Sequence, residues 1–153
     1  MGITGANEAP AGANAVARFV LLAEFGWVIL GGTVGTLARY ALNRLIGEVA
    51  GVPLGILVIN VSGAFVLGVL LESLALRGSD TGGSRRLRLL LGTGVIGGFT
   101  TYSLLAADIA AMLLHGYLLL GAAYGIVTVV AGVLASWAGV IGARAFRGRV
   151  QDE

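Results

Sequence analysis

Residues 89–113, LLLGTGVIGGFTTYSLLAADIAAML, decide the fold of this chain. The run is apolar, and it is long enough to cross the ~30 Å hydrocarbon core of a bilayer, which takes ~20 helical residues. Its middle is unusual, because glycines recur over residues 92–98 and four hydroxyl side chains follow over residues 100–103. Glycine costs helix stability, and hydroxyls compete for backbone hydrogen bonds. The stretch therefore predicts a membrane-spanning helix that breaks near its midpoint, over Gly97–Gly98.

The composition of the whole chain agrees with a membrane location. Of the 153 residues, 57% are hydrophobic and only 12% are charged, and the mean hydropathy is +0.92. A soluble domain carries about 25% charged residues, so this chain could not cover a globule with polar surface, and a water-soluble enzyme is excluded. The chain has no cysteine, which excludes disulfides and thiol catalysis. Its arginines lie at segment ends, so we expect no nucleic-acid partner.

Four apolar runs have the length of a membrane span. They are residues 19–46, 53–76, 87–114 and 117–145. We therefore predict an all-α integral membrane protein with one four-helix domain, residues 19–145. Two tails flank it, a disordered N-terminal tail over residues 1–18 and a C-terminal tail over residues 146–153. Between spans, residues 77–88 predict a polar loop and His115–Gly116 a tight turn.

The arginines are distributed unevenly between the two ends of these spans. With four spans, both termini and the 77–88 loop lie on one side, which holds eight of the ten arginines; Arg39 and Arg44 lie towards the other. Positive side chains stay preferentially on the cytoplasmic side. The asymmetry predicts a multi-pass protein of the cell membrane with both termini in the cytoplasm.

Several polar groups within the spans are candidate functional residues. Broken backbone at mid-membrane depth must be buried in protein or line an aqueous cavity, where free carbonyls favour a cation and helix N-termini an anion. Asp108 is a carboxylate within a span, which is expensive, and Asn60 needs a hydrogen-bond partner. Tyr124 and Thr128, one turn apart, share a helix face. Each feature also has a structural alternative. The glycines could form a packing face, with the hydroxyls bonded to their own helix, and Asp108 could be solvated at the end of its span. Asn60 could hydrogen-bond between helices, and Tyr124 and Thr128 could be ordinary polar residues of the core.

Glycines elsewhere predict close helix packing. Gly31 and Gly35 have the GxxxG spacing of a helix-packing face. In the fourth span one packing face is predicted from four glycines: Gly121, Gly125, Gly132 and Gly139.

Three sequence blocks together resemble the Fluc/CrcB family of fluoride channels. They are GGTVGTLARY (31–40), PLGILVINVSGAFVLG (53–68) and GVIGGFTTYS (94–103), in order and at fitting distances. The resemblance implies a four-helix subunit that pairs antiparallel into a dimer with two narrow pores. Such a channel passes fluoride passively out of the cell and so reduces its toxicity.

The resemblance also implies roles for individual residues. The backbone carbonyls of Gly97 and Thr100 would hold a structural Na⁺ at the dimer centre. Pore or fluoride-binding roles fall on seven residues: Asn60, Tyr102, Ser103, Tyr124, Thr128, Asp108 and Arg39.

The chain departs from the family pattern at two places. Leu104 replaces a hydroxyl, and Leu105 replaces the second of two pore-facing phenylalanines, so at least one pore is expected to be impaired. The arginine asymmetry is also more than a homodimer inserted in both orientations should carry. Both departures suggest a related partner subunit of opposite orientation instead of a homodimer.

Two other functions remain as alternatives. A small proton-coupled multidrug exporter would need a carboxylate inside the first span, where Glu24 is the available residue. A non-conducting partner subunit of a heterodimeric channel would explain Leu104 and Leu105. No covalent chemistry is expected, so the sequence does not predict an enzyme.

Overall fold

The computed structural model describes residues 11–151 of the chain and the side chains of residues 18–149. Seven helical elements follow one another: α1 (Ala11–Ile46), α2 (Leu54–Ala75), α3 (Gly82–Leu87), the π-helix π1 (Arg88–Ile96), α4 (Gly97–Phe99), α5 (Tyr102–Leu114) and α6 (Leu118–Gln151). Four stretches are long and apolar enough to cross a membrane: Arg18–Ile46, Leu54–Ala75, Gly82–Leu114 and Leu118–Arg149. The prediction of an all-α protein with four spans is confirmed. We call α3, π1, α4 and α5 together the third span.

The third span is broken, but at a different place from the one predicted. Gly97 and Gly98 are helical, whereas Thr100 (φ −74°, ψ 156°) and Thr101 (φ −151°, ψ 122°) are extended. The prediction of a break over Gly97–Gly98 is therefore wrong by three residues. Backbone that turns extended needs new hydrogen-bond partners, and these lie beside the threonines rather than the glycines.

Two glycines of the third span, Gly94 and Gly98, pack closely against α1. A Cβ on Gly98 would lie 2.5 Å from the carbonyl oxygen of Gly32, and a Cβ on Gly94 would lie 2.8 Å from the Cα of Gly31. Gly35 likewise lies against the backbone of Val95. We call Gly31, Gly35, Gly94 and Gly98 the glycine seam. The packing-face alternative is thus the correct interpretation for these glycines.

The helix ends extend further than the sequence predicts. Residues 11–18 are helical where a disordered tail was expected, and residues 146–151 continue α6 into the expected C-terminal tail. Residues 11–18 include four alanines, and alanine has the highest helix propensity. In the 77–88 loop, α3 begins already at Gly82. Residues 1–10 and 152–153 of the predicted tails lie outside the described residues.

α2 packs most extensively against α6, α6 also packs against α5, and α1 packs against π1 and α4. The buried core consists of Ile56, Ile59, Leu105, Met112 and Tyr124. The predicted glycine face of α6 is confirmed, because Gly121 and Gly125 lie against α5 and Gly132 and Gly139 against α2.

Candidate functional site

The side chain of Asn60 on α2 hydrogen-bonds to the extended backbone at the break in the third span. Its Nδ2 donates to the carbonyl of Thr101 at 2.9 Å, and its Oδ1 accepts from the backbone N–H of Thr101 at 2.8 Å. Both backbone groups of an extended residue are thereby satisfied by one side chain from another helix. A primary amide carries two N–H donors, so one N–H of Asn60 remains for another ligand.

The threonine hydroxyls complete the ends of the two half-helices. Thr101, which is only 6% exposed, is the N-cap of α5, and its Oγ1 accepts from the N–H of Leu104 at 3.3 Å. The same hydroxyl lies 3.2 Å from Oγ of Ser103. On the other side of the break, Oγ1 of Thr100 donates to the carbonyl of Ile96 at 3.0 Å. Both faces of the break are therefore hydrogen-bonded.

These bonds deprive two carbonyls of their usual helical donors. In an unbroken helix the N–H of Thr101 would donate to the carbonyl of Gly97, but it donates to Asn60. The N–H of Leu104 would donate to the carbonyl of Thr100, but it donates to Thr101 Oγ1. Gly97 and Thr100 are the two residues that the family resemblance assigns to a cation. Their carbonyl oxygens have the chemistry that a hard cation requires.

An open groove of about 400 Å³ lies beside the break. We call it the polar groove; its lining residues are Asn60, Thr100, Thr101, Tyr102, Leu105, Thr128, Val129, Gly132, Val133 and Ser136. None of these ten side chains is charged. The polar groove therefore combines neutral hydrogen-bond donors with apolar walls, which suits an ion that must pass without being held tightly.

Three of the seven predicted site residues line this groove, namely Asn60, Tyr102 and Thr128. The side chain of Tyr102 is exposed. Ser103 lies next to the groove through its contact with the Thr101 hydroxyl.

The two predicted residues of α6 already use their hydroxyls within the subunit. Tyr124 is buried, and its hydroxyl donates to the carbonyl of Pro53 at 3.0 Å. Oγ1 of Thr128 donates to the carbonyl of Tyr124 at 2.7 Å. In this structure Tyr124 therefore fixes the start of α2 instead of lining the groove.

Asp108 and Arg39 lie away from the polar groove. Asp108 lines a separate cavity of about 200 Å³ at the end of the bundle opposite the termini, together with Glu48, His115 and Tyr117. Within the described part of the chain, Oδ2 of Asp108 is buried without a hydrogen-bond partner. Arg39 is half-buried on α1. The subunit alone thus does not bring all seven predicted residues into one site.

Two groove residues were missed as site residues in the sequence. Thr101 was noted only as one of four hydroxyls, and its pairing with Asn60 across 41 residues has no local signal. Ser136 follows Thr128 by eight residues, about two helical turns, so helical spacing could have placed both on one face.

Four spans, a braced break at mid-membrane and an uncharged polar groove define a multi-pass membrane protein of the channel and transporter class. Residues 26–140 match the family described as CrcB-like protein, Camphor Resistance (CrcB). The chain belongs to this CrcB-like family.

Curated relatives cover most of the chain. It is 44% identical over 125 residues to "Fluoride-specific ion channel FluC 1" of Cutibacterium acnes, covering 81% of this chain and 87% of the relative. It is 48% identical over 113 residues to "Fluoride-specific ion channel FluC 2" of Leifsonia xyli, covering 74% and 78%. A third relative, "Fluoride-specific ion channel FluC" of Novosphingobium aromaticivorans, is 39% identical over 118 residues, covering 74% and 90%.

Proposed function

We propose that this chain is a subunit of a fluoride-selective channel, which lets fluoride leave the cytoplasm passively and so reduces its toxicity. The observation that carries the proposal is the uncharged polar groove at the helix break, with Asn60 at its wall. The names of the relatives in Cutibacterium acnes and Leifsonia xyli support fluoride as the ion. The protein is then a transporter and not an enzyme.

The chemistry of the groove suits a small, strongly hydrated anion. Removing water from fluoride requires several replacement donors, and the second N–H of Asn60 and the hydroxyl and ring edge of Tyr102 can supply them. A fixed cation in the pathway would bind fluoride too tightly for release, since conduction needs moderate, multiple sites. The absence of charge from the groove lining meets that condition.

The polar groove is open on one side, and we propose that a second, antiparallel subunit closes it. A Na⁺ at the centre of this dimer would be held by the carbonyls of Gly97 and Thr100, and it would neutralise the oxygen dipoles there. The support is the loss of both helical donors described above. In addition, Gly97 is exposed, and a Cβ there would meet only one atom within 4 Å, the Gly92 oxygen at 3.8 Å.

The proposed partner is a related subunit of opposite orientation, with the termini of this chain in the cytoplasm. The arginine asymmetry supports a single orientation. Leu105 supports inequality of the two pores, because it lines the groove with an aliphatic side chain that offers no positive ring edge. Reconstitution of this chain alone in liposomes tests the pairing: weak fluoride efflux is expected, and full efflux with mixed topology would contradict it.

The exporter alternative finds no support in the first span. Glu24, the carboxylate that it requires, is bound by Arg85 through two hydrogen bonds, Nε to Oε1 at 2.6 Å and Nη2 to Oε2 at 2.9 Å. A carboxylate held in a bidentate arginine pair is poorly placed to exchange protons for a substrate.

Fluoride efflux from proteoliposomes tests the proposed function. The complex is isolated through a tag on this chain, so that any partner subunit is retained, and efflux is followed with a fluoride electrode without a proton gradient. Rapid fluoride efflux and no chloride efflux are expected. Asn60→Asp should reduce fluoride efflux at least about tenfold, because a carboxylate repels the anion and cannot donate to Thr101.

The matched control is Ser62→Ala, since the Ser62 hydroxyl donates to backbone carbonyls of its own helix. Tyr102→Leu is a second variant. Because Tyr102 is exposed, we expect this substitution to leave the fold intact. If Asn60→Asp leaves the efflux of the assembled complex unchanged, this chain is only a scaffold for its partner.

A further inference from the structure

A second groove lies at the end of the bundle that carries both termini. It has a volume of about 330 Å³ and lies between the C-terminal parts of α2 and α6, lined by Ser73, Leu76, Arg77, Ala143, Phe146 and Arg147. We call it the arginine groove. Ser73 follows Asn60 by thirteen residues, which is about 220° around a helix. The arginine groove therefore lies on a different face of α2 from Asn60 and is separate from the polar groove.

The arginine groove carries a net positive charge. None of its six lining residues has a carboxylate. The nearest one along α2, Glu72, is engaged by Arg144 at 2.8 Å. Nη1 of Arg147 donates to the carbonyl of Leu76, which fixes the guanidinium at the end of α2 and leaves its other N–H groups available. Arg77 is exposed beside it.

The groove lies where a bilayer has its headgroups. Arg77 is the second residue after the end of α2, and Arg147 lies two residues before the end of the fourth apolar stretch. Phe146, which is 73% exposed, adds an aromatic ring of the kind that is enriched at membrane interfaces. Two guanidinium groups, a hydroxyl and an apolar wall therefore meet at the depth of lipid phosphates.

We propose that the arginine groove binds the phosphodiester headgroup of an anionic phospholipid. Arg77 and Arg147 would contact the phosphate through charge-assisted hydrogen bonds, for which the planar guanidinium is well suited. The acyl chains would lie along Leu76 and Phe146. A basic pocket between helices at the membrane surface is a recurrent arrangement for such lipids.

Native mass spectrometry of the detergent-solubilised complex tests this site. The protein is offered phosphatidylglycerol and phosphatidylcholine in equal amounts, and retained lipids are counted for each variant. Preferential retention of phosphatidylglycerol is expected. Arg77→Gln should weaken that retention about fivefold, the usual contribution of one basic side chain near a lipid surface. Arg147→Lys, which keeps the charge but loses the fork of donors, should weaken it less.

Arg86→Gln is the matched control, because Arg86 is an exposed arginine at the same end on α3, outside the groove. It should retain the lipid as the unmodified protein does. Equal loss in Arg86→Gln and Arg77→Gln would overturn the proposal in favour of diffuse attraction by all surface arginines. Equal retention of the two lipids would also overturn it. If inorganic phosphate at millimolar concentration displaced the lipid, a free-anion site would replace the lipid site.

Discussion

The seam glycines of the third span, Gly94 and Gly98, lie next to the break at Thr100 and Thr101, yet the two regions are stabilised in opposite ways. At the seam, Gly94 and Gly98 stay helical and bring backbone against the backbone of α1. At the break, Thr100 and Thr101 leave the helix; the Thr100 hydroxyl donates to the carbonyl of Ile96, and the backbone of Thr101 is hydrogen-bonded by the side chain of Asn60. Close backbone contact, which the lack of a glycine side chain permits, stabilises the seam, whereas particular polar side chains stabilise the break.

The comparison shows that glycine alone does not break a helix in a membrane. With no water in the hydrocarbon region, a backbone group released from a helix must find another partner. The N–H of Gly97 keeps an acceptor within the helix, the carbonyl of Gly92, whereas Thr101 has the amide of Asn60 opposite it. The position of the break therefore follows the donors and acceptors rather than the residues of lowest helix propensity.

The largest expected effect comes from adding one methyl group to the seam. In Gly98→Ala the new Cβ would lie 2.5 Å from the carbonyl oxygen of Gly32 and 2.9 Å from its Cα. Backbone cannot give way as a flexible side chain can, so α1 and α4 must separate. We expect a loss of about 3 kcal/mol of unfolding free energy, measured by denaturation in mixed detergent micelles.

Gly32→Ala is the control for this prediction, because a Cβ there meets nothing within 4 Å. It should be neutral, or stabilising by up to about 1 kcal/mol through its higher helix propensity. Equal effects of the two substitutions would mean that the seam does not depend on close approach.

The same contrast explains how much of the molecule the sequence predicts. Four spans follow from length and hydropathy, and the packing faces of α6 follow from glycines spaced along one side of a helix. Both are local patterns. The bond between Asn60 and Thr101 joins residues 41 positions apart, and no pattern along one helix specifies which partner an amide finds.

The sequence likewise predicts part of the candidate site, but not the contacts that depend on how the helices pack. Asn60, Tyr102 and Thr128 meet at the polar groove, as the family resemblance suggests. The use of the Tyr124 hydroxyl at the carbonyl of Pro53 depends on how α6 approaches the start of α2, which is a property of the packed bundle.

A smaller effect is expected at the break itself. Thr101→Val keeps the shape of the side chain but removes the hydroxyl that caps α5 at the N–H of Leu104. Loss of an N-cap costs about 1 kcal/mol, and the unfolding free energy should fall by that amount in the same micelles. Thr33→Val is the control, since the exposed Thr33 hydroxyl only donates back to its own helix at Ile29. If both valine variants unfold alike, the Thr101 cap does not stabilise the break.

The smallest expected effect lies where the third span leaves the membrane. Asp80, in the loop before α3, pairs with Arg88, the first residue of π1, at 2.6 Å. The hydrogen bond from Arg88 lowers the pKa of the Asp80 carboxyl below its usual 3.8. A lowered folded-state pKa gives a stabilising contribution that is present above pH 3.8 and is lost as the pH falls through the folded-state value.

Asp80→Asn should therefore unfold slightly more easily than the unmodified protein at pH 7, and the two should converge as the pH falls below about 4. Ser79→Ala, a neighbouring loop substitution without a titrating group, should show no such convergence. The effect is small because both side chains are partly exposed and the pair is screened by solvent and salt. A pH-independent difference would contradict the ion-pair explanation and would show that Asp80 positions the loop through its shape, independently of its charge.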